Sequence, residues 1–193
     1  MRTLPLSSMR TIRFIVACLA LAAAAVAPAL AQERDAPRFE DYPAAVRRGR
    51  VAALDLRSHP LARHYRTLLR QQLREEGVNF AGRYTLASVG CGTGCSISAV
   101  IDTRNGRAYF PRELNGWTGI VGDYDIPEGE EPWTYRAGSR LLRVVGRPNI
   151  GAAQEERHGP SGIYYYEWTG RRLRLVRFTH VGSYPEADPP GRR

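Results

Sequence analysis

The sequence predicts a mostly β protein of the α+β kind, an antiparallel β-meander core with an N-terminal amphipathic helix. Three observations lead there. Short segments with alternating apolar residues recur between positions 80 and 178, Asn-Gly and Thr-Gly turns separate them, and one clear 3.6-residue apolar period precedes them all. The strand-turn-strand spacing also fits a small barrel or propeller, although no internal repeat is exact.

Residues 1–31 read as a secretory signal peptide. Arg10 and Arg13 precede an apolar run over 14–30, which ends in Ala29-Leu30-Ala31, a small-x-small cleavage site before Gln32. Met9 is an alternative start. Ile15-Val16-Ala17-Cys18 fits a lipoprotein signal only superficially, because the strongest apolar stretch follows the cysteine and cleavage there would leave a greasy N-terminus. The expectation is a periplasmic or secreted protein with no transmembrane segment after signal removal. It comprises a flexible lead-in at 32–41, a single globular domain at 42–182 and a flexible Pro-rich tail at 183–193.

The helix is expected over 58–77. Ser58 is its cap, Pro60 suits the first turn, Gly77 ends it, and Leu61, Tyr65, Leu68, Leu69 and Leu73 line one face. The other face carries a basic ridge, Arg63, Arg66, Arg70 and Arg74. A strand over 80–89 follows, with Tyr84 and Leu86 on one side. Next come 96–102, where Ile97, Ala99 and Ile101 share a parity, and 107–110 after the tight Asn105-Gly106 turn. Residues 111–133 show low regularity, and 140–145 return to strand. The strongest hairpin runs from 163–168 through Thr169-Gly170-Arg171 into 173–178, with Tyr164, Tyr166 and Trp168 facing the core and Tyr165 facing outwards.

With 43% apolar and 24% charged residues, the chain is neither disordered nor a multi-span membrane protein by composition. All 28 basic residues are Arg, and the formal net charge is +9, which Arg2, Arg10 and Arg13 lower by three when they leave with the signal. The surplus serves solubility, or affinity for anionic envelope components. Nucleic acid is not an expected partner, given export and the lack of a zinc-finger, helix-turn-helix or RNA-binding signature.

Cys18 leaves with the signal, so Cys91 and Cys95 remain in an oxidising compartment, where an even count favours one disulfide. Glycines at 90, 92 and 94 let the chain curl enough for the sulfurs to meet. The three-residue spacer differs from that of a thioredoxin-type pair, and an exchange-active disulfide or free thiols are the alternatives.

No catalytic residue, metal ligand or cofactor is assigned. Neither GxSxG nor HExxH occurs, His59 and His64 fall off a common helix face, and His158 and His180 lie in separate late segments. The acidic loop from Asp123 to Glu131 lacks the EF-hand spacing and reads as a solvated turn. A carboxylate pair of Asp123 with Glu167, or a thiol pair of Cys91 with His158 or His180, depends on distances that a sequence does not supply.

Asn79-Phe80-Ala81-Gly82-Arg83-Tyr84, followed by Gly90 through Cys95 and then Ile101-Asp102, resembles the signature of an uncharacterised family of small exported bacterial proteins. The likeness covers about 79–110 and departs from the family pattern at Arg83 and Val89. It implies export and the Cys91–Cys95 bridge, and it supplies no catalytic residue.

The leading functional expectation is a binding or inhibitor-like envelope module for an anionic, glycan or protein partner. Its candidate contacts are Arg63, Arg66, Arg70 and Arg74 with Trp117, Trp133 and Tyr165. A cell-envelope hydrolase and a structural envelope protein are the alternatives. The sequence does not fix an oligomeric state.

Overall fold

The computed structural model describes residues 36–92, 95–117, 131–151 and 157–180, without the side chains of Cys91, Gly92 and Cys95. The expected signal at 1–31 with Cys18, the tail at 183–193 and the acidic loop up to Glu130 lie outside these residues. The chain divides into two units, Met1–Ala36 and Pro37–Arg193, and the first contains one described residue, Ala36.

The second unit is a mixed α/β fold dominated by two antiparallel sheets. β1 (Tyr84–Gly92), β2 (Cys95–Asp102) and β3 (Ala108–Tyr109) form one in the order β1-β2-β3. β4 (Trp133–Tyr135), β5 (Leu141–Gly146), β6 (Gly162–Trp168) and β7 (Leu173–His180) form the other in the order β4-β5-β6-β7. Both orders are linear, so the described ladders show no barrel or propeller closure.

Two helices, α1 (Pro60–His64) and α2 (Arg66–Glu76), occupy the expected helical stretch. They are separate because Tyr65 leaves helical geometry at ψ 22°. The break resets the apolar face: Ala62, Leu69 and Leu73 are buried, whereas Leu68 is 46% exposed. Ser58 is not the cap. Its hydroxyl donates to the Asp55 carbonyl at 2.6 Å and accepts the Ala108 N–H at 3.1 Å, while His59 Nδ1 accepts the Leu61 N–H at 3.2 Å.

Alternation along β1 and β2 builds three layers. Tyr84, Leu86 and Val100 pack with Leu142, Val144, Tyr164, Tyr166 and Trp168 of the second sheet. The intervening Ala87, Val89, Ala99 and Ile101 pack with Leu54, Ala62, Leu69 and Leu73 of the helical layer. The first sheet is therefore apolar on both faces, which is why its small residues Ala87 and Ala99 are fully buried.

The strand expected from position 80 begins at Tyr84. Ala81 and Gly82 hold positive φ values of 46° and 80°, and Phe80 and Tyr84 close a turn with reciprocal bonds of 2.9 and 3.0 Å. Phe39–Asp41, in the expected lead-in, form a 3-10 turn whose Phe39 carbonyl accepts the Ser139 hydroxyl at 2.8 Å. Trp133–Tyr135 pair with β5, a strand that begins at the last residue of the stretch expected to be irregular.

The Cys91–Cys95 bridge is a correction, since no disulfide bond is present among the described residues. In the ladder Cys95 pairs with Gly92, and a register shift between Gly90 and Gly92 gives Cys91 no cross-strand pair. Among the described residues no helix is long and apolar enough to cross a membrane.

Candidate functional site

Three chain segments meet at a cavity of about 580 Å³: Ser58-His59, residues 107–113 after the Asn105-Gly106 turn, and residues 171–174 at the β6–β7 turn. Local structure fixes each one. Gly106 has φ +73° and approaches Ala53 so closely that a Cβ would overlap the Ala53 carbonyl, while its own carbonyl accepts the Asp55 N–H at 2.8 Å. With the Ser58 hydroxyl on Ala108, this ties the start of the helical layer to β3. The Trp168 ring then packs edge-on against Tyr109 and Tyr84 at 5.6 and 5.5 Å, drawing the β6–β7 turn against the first sheet.

Five arginines line this cavity, Arg107, Arg112, Arg171, Arg172 and Arg174, with a single acid, Glu113. Arg112 contacts Glu113 at 3.5 Å, and Arg174 is held by Glu167. Arg107 rests over the Tyr109 ring at 5.7 Å. Neither it nor Arg171 or Arg172 has a carboxylate partner among the described residues. Among the described residues the cavity thus carries more positive than negative charge.

His59 forms part of the wall and stacks on Phe110 at 4.5 Å. Because its Nδ1 accepts the Leu61 N–H, the neutral ring carries its proton on Nε2. Burial lowers its pKa below the ordinary histidine value, favouring that neutral donor.

A neighbouring cavity of about 410 Å³ shares Arg174 and differs in its electrostatics. Its arginines are already committed: Arg83 bonds Asp102 at 3.1 Å, and Arg140 and Arg174 both hold Glu167, Arg140 at 3.1 Å. The hydrogen bond from Arg174 outweighs burial and, with Arg140, keeps the Glu167 carboxyl below the usual carboxylate range. Burial would raise Asp102, but its bonds from Arg104 and the charges of Arg104 and Arg83 lower it. These carboxylates are anchored anions, poorly suited to proton transfer near neutrality.

The expected contact residues separate into two sets. Arg63, Arg66, Arg70 and Arg74 are exposed along α1 and α2. Trp117 and Tyr165 are each only 9% exposed, and Trp117 packs edge-on against half-buried Trp133 at 5.5 Å. Tyr165 therefore does not face outwards as expected, and the tryptophans are packing residues. His158 Nε2 lies 2.7 Å from the Gly116 carbonyl, and exposed His180 packs edge-on against Phe178. Asp123 and the Cys91 side chain lie outside the described residues. Among the described residues no group of three or more His, Cys, Asp or Glu side chains is placed to hold a metal.

The sequence does not single out Arg107, Arg171 or Arg172, and it raises His59 only as a metal ligand. The available signal was arginine on two tight turns, after Asn105-Gly106 and within the last hairpin, but their meeting depends on sheet packing. No family model, curated protein or solved structure matches the chain.

Proposed function

We propose that this is an exported envelope protein, periplasmic or secreted after loss of residues 1–31, whose domain binds an anionic partner through the arginine-lined cavity. The single observation that carries the reading is that Arg107, Arg171 and Arg172 line one cavity without carboxylate partners among the described residues. Guanidinium groups keep their charge at all physiological pH values and bind oxyanions through paired N–H groups. The exposed ridge of Arg63, Arg66, Arg70 and Arg74 adds long-range attraction for the same partner. The resemblance of residues 79–110 to small exported bacterial proteins fits this location.

The test is binding of the domain to alginate, dextran sulfate and polyphosphate, with neutral dextran as control, at low and moderate salt. Wild type should bind the charged polymers in a salt-sensitive manner, and an R107Q/R171Q/R172Q variant should lose most of that binding. Equal binding by both proteins would remove the cavity from the function.

A further inference from the structure

We infer that the arginine-lined cavity is selective for a phosphate ester or diphosphate, seated by Arg107, Arg171 and Arg172 and by the Nε2–H of His59. The inference rests on the anion-binding reading and names its ligand class. Charge comes first. Arg112 faces Glu113 and Arg174 is held by Glu167, so among the described residues three cations of the cavity carry no carboxylate partner and are offered to a ligand. One carboxylate brings a single negative charge, whereas a phosphate ester brings about 1.5 to 2 near neutral pH together with three acceptor oxygens.

The donor set fits the same chemistry. Arginine forks match phosphate oxygens in bidentate fashion. His59 adds a neutral donor, because its Nδ1 is occupied by the Leu61 N–H and its ring is fixed by the stack on Phe110 at 4.5 Å. A further acceptor oxygen on the ligand satisfies that donor, and a phosphate has one to spare.

Size supplies the third argument. A cavity of about 580 Å³ is far larger than an inorganic phosphate and falls in the range of small-molecule sites. Phe110, Pro111 and Leu173 give it apolar wall beside the arginines. The phosphate is therefore carried on a larger body, which rests on that wall while the arginines hold the charged end.

Pyrophosphate is the probe, titrated by calorimetry and by ¹⁵N NMR of the arginine Nε–H groups. Wild type should bind it, with shifts at Arg107, Arg171 and Arg172. R171Q/R172Q should bind at least about tenfold more weakly, the effect of losing one charge-assisted hydrogen bond. R48Q/R50Q, an equal loss of exposed charge elsewhere, should bind as wild type does. Citrate at matched ionic strength should bind at least about tenfold more weakly than pyrophosphate.

Glycerol phosphate and vesicles of phosphatidic acid, a lipid phosphomonoester, then separate the sources of the group. Displacement of pyrophosphate by glycerol phosphate assigns a soluble ester; displacement by the vesicles alone assigns a lipid headgroup, and both carry the inferred chemistry. The inference is overturned if pyrophosphate fails to bind, shifts other arginines instead, binds R171Q/R172Q equally, or is matched by citrate. Charged polymers that still bind through the cavity in those cases leave the broader anion reading standing. Failure of both polymers and pyrophosphate removes the two together.

Discussion

The side-chain amide of Asn79 bonds the backbone of Leu86 in both directions, its Oδ1 accepting the N–H at 2.7 Å and its Nδ2 donating to the carbonyl at 3.2 Å. Gln72 repeats the arrangement at Ser88, with bonds of 2.8 and 2.5 Å. β1 is the outer strand of its sheet, and these two amides stand where a further strand would pair. The carboxamide has the donor and acceptor of a peptide group, which is why it substitutes for one.

Replacing Asn79 by Ala should therefore lower unfolding free energy by roughly 1–3 kcal/mol, the cost of leaving part-buried backbone groups unpaired. Asn79→Asp keeps the acceptor and loses the donor, and should fall between Ala and wild type at neutral pH. Urea unfolding measures both; a change below about 0.5 kcal/mol for Ala would mean that water replaces the amide without loss.

Gly106→Ala should be costlier than its size suggests. The residue combines φ +73° with a backbone approach that leaves no room for Cβ beside the Ala53 carbonyl. Left-handed geometry alone costs an Ala about 1 kcal/mol or more, and the overlap adds to it. Thermal unfolding should show a lower midpoint and, because the same turn places Arg107, weaker anion binding in protein that remains folded. Unchanged stability would refute the close approach.

Asp102 sets part of the acid limit. Its folded pKa lies below the ordinary carboxylate value, so its contribution to stability is present above about pH 4 and disappears as pH falls through the folded value. Asp102→Asn should destabilise the protein at pH 7 by roughly 1–3 kcal/mol, since the carboxylate accepts from Arg83 and Arg104. Its stability should also change less between pH 5 and pH 2 than that of wild type. A wild-type acid profile retained by the variant would place the dependence elsewhere.

His59 offers a second test with the same sign. Its folded pKa is depressed, so neutral His59 supports the fold above the ordinary histidine value of about 6.5, and that support is lost as pH falls through the folded value. Protonation also removes the Nδ1 acceptor that caps α1. His59→Ala should cost about 1 kcal/mol, and His59→Asn should recover most of it because Asn is a good cap. An NMR titration of the ring that gave an ordinary or raised pKa would contradict this account.

The meander and the final hairpin were legible because alternation and turn chemistry act locally. Ile97, Ala99 and Ile101 mark one face of β2 whatever packs on it, and Thr169-Gly170 announces a reversal by itself. The break at Tyr65 was not legible, since neither Gly nor Pro marks it and the apolar spacing runs on to Leu68 and Leu69. β4 was missed because three residues are too few to display a period.

Tyr165 shows a different limit. Alternation put it correctly on the face opposite Tyr164 and Tyr166, but whether that face meets solvent depends on what covers it, and at 9% exposure it does not. The cavity lay further still from view. His59, Arg107 and Arg171 are distant in sequence; the Ser58 and Gly106 bonds join the first two segments, and the packing of Trp168 against Tyr84 and Tyr109 brings in the third.

The cavity's cations are arginine throughout, in a chain without lysine. Amine-directed reagents such as succinimidyl esters and glutaraldehyde therefore leave its wall untouched, whereas dicarbonyls such as phenylglyoxal modify it. A bound anion would write its footprint as shielding of Arg107, Arg171 and Arg172 from the dicarbonyl, while a label on the α-amino group reports from the same molecule without disturbing the site.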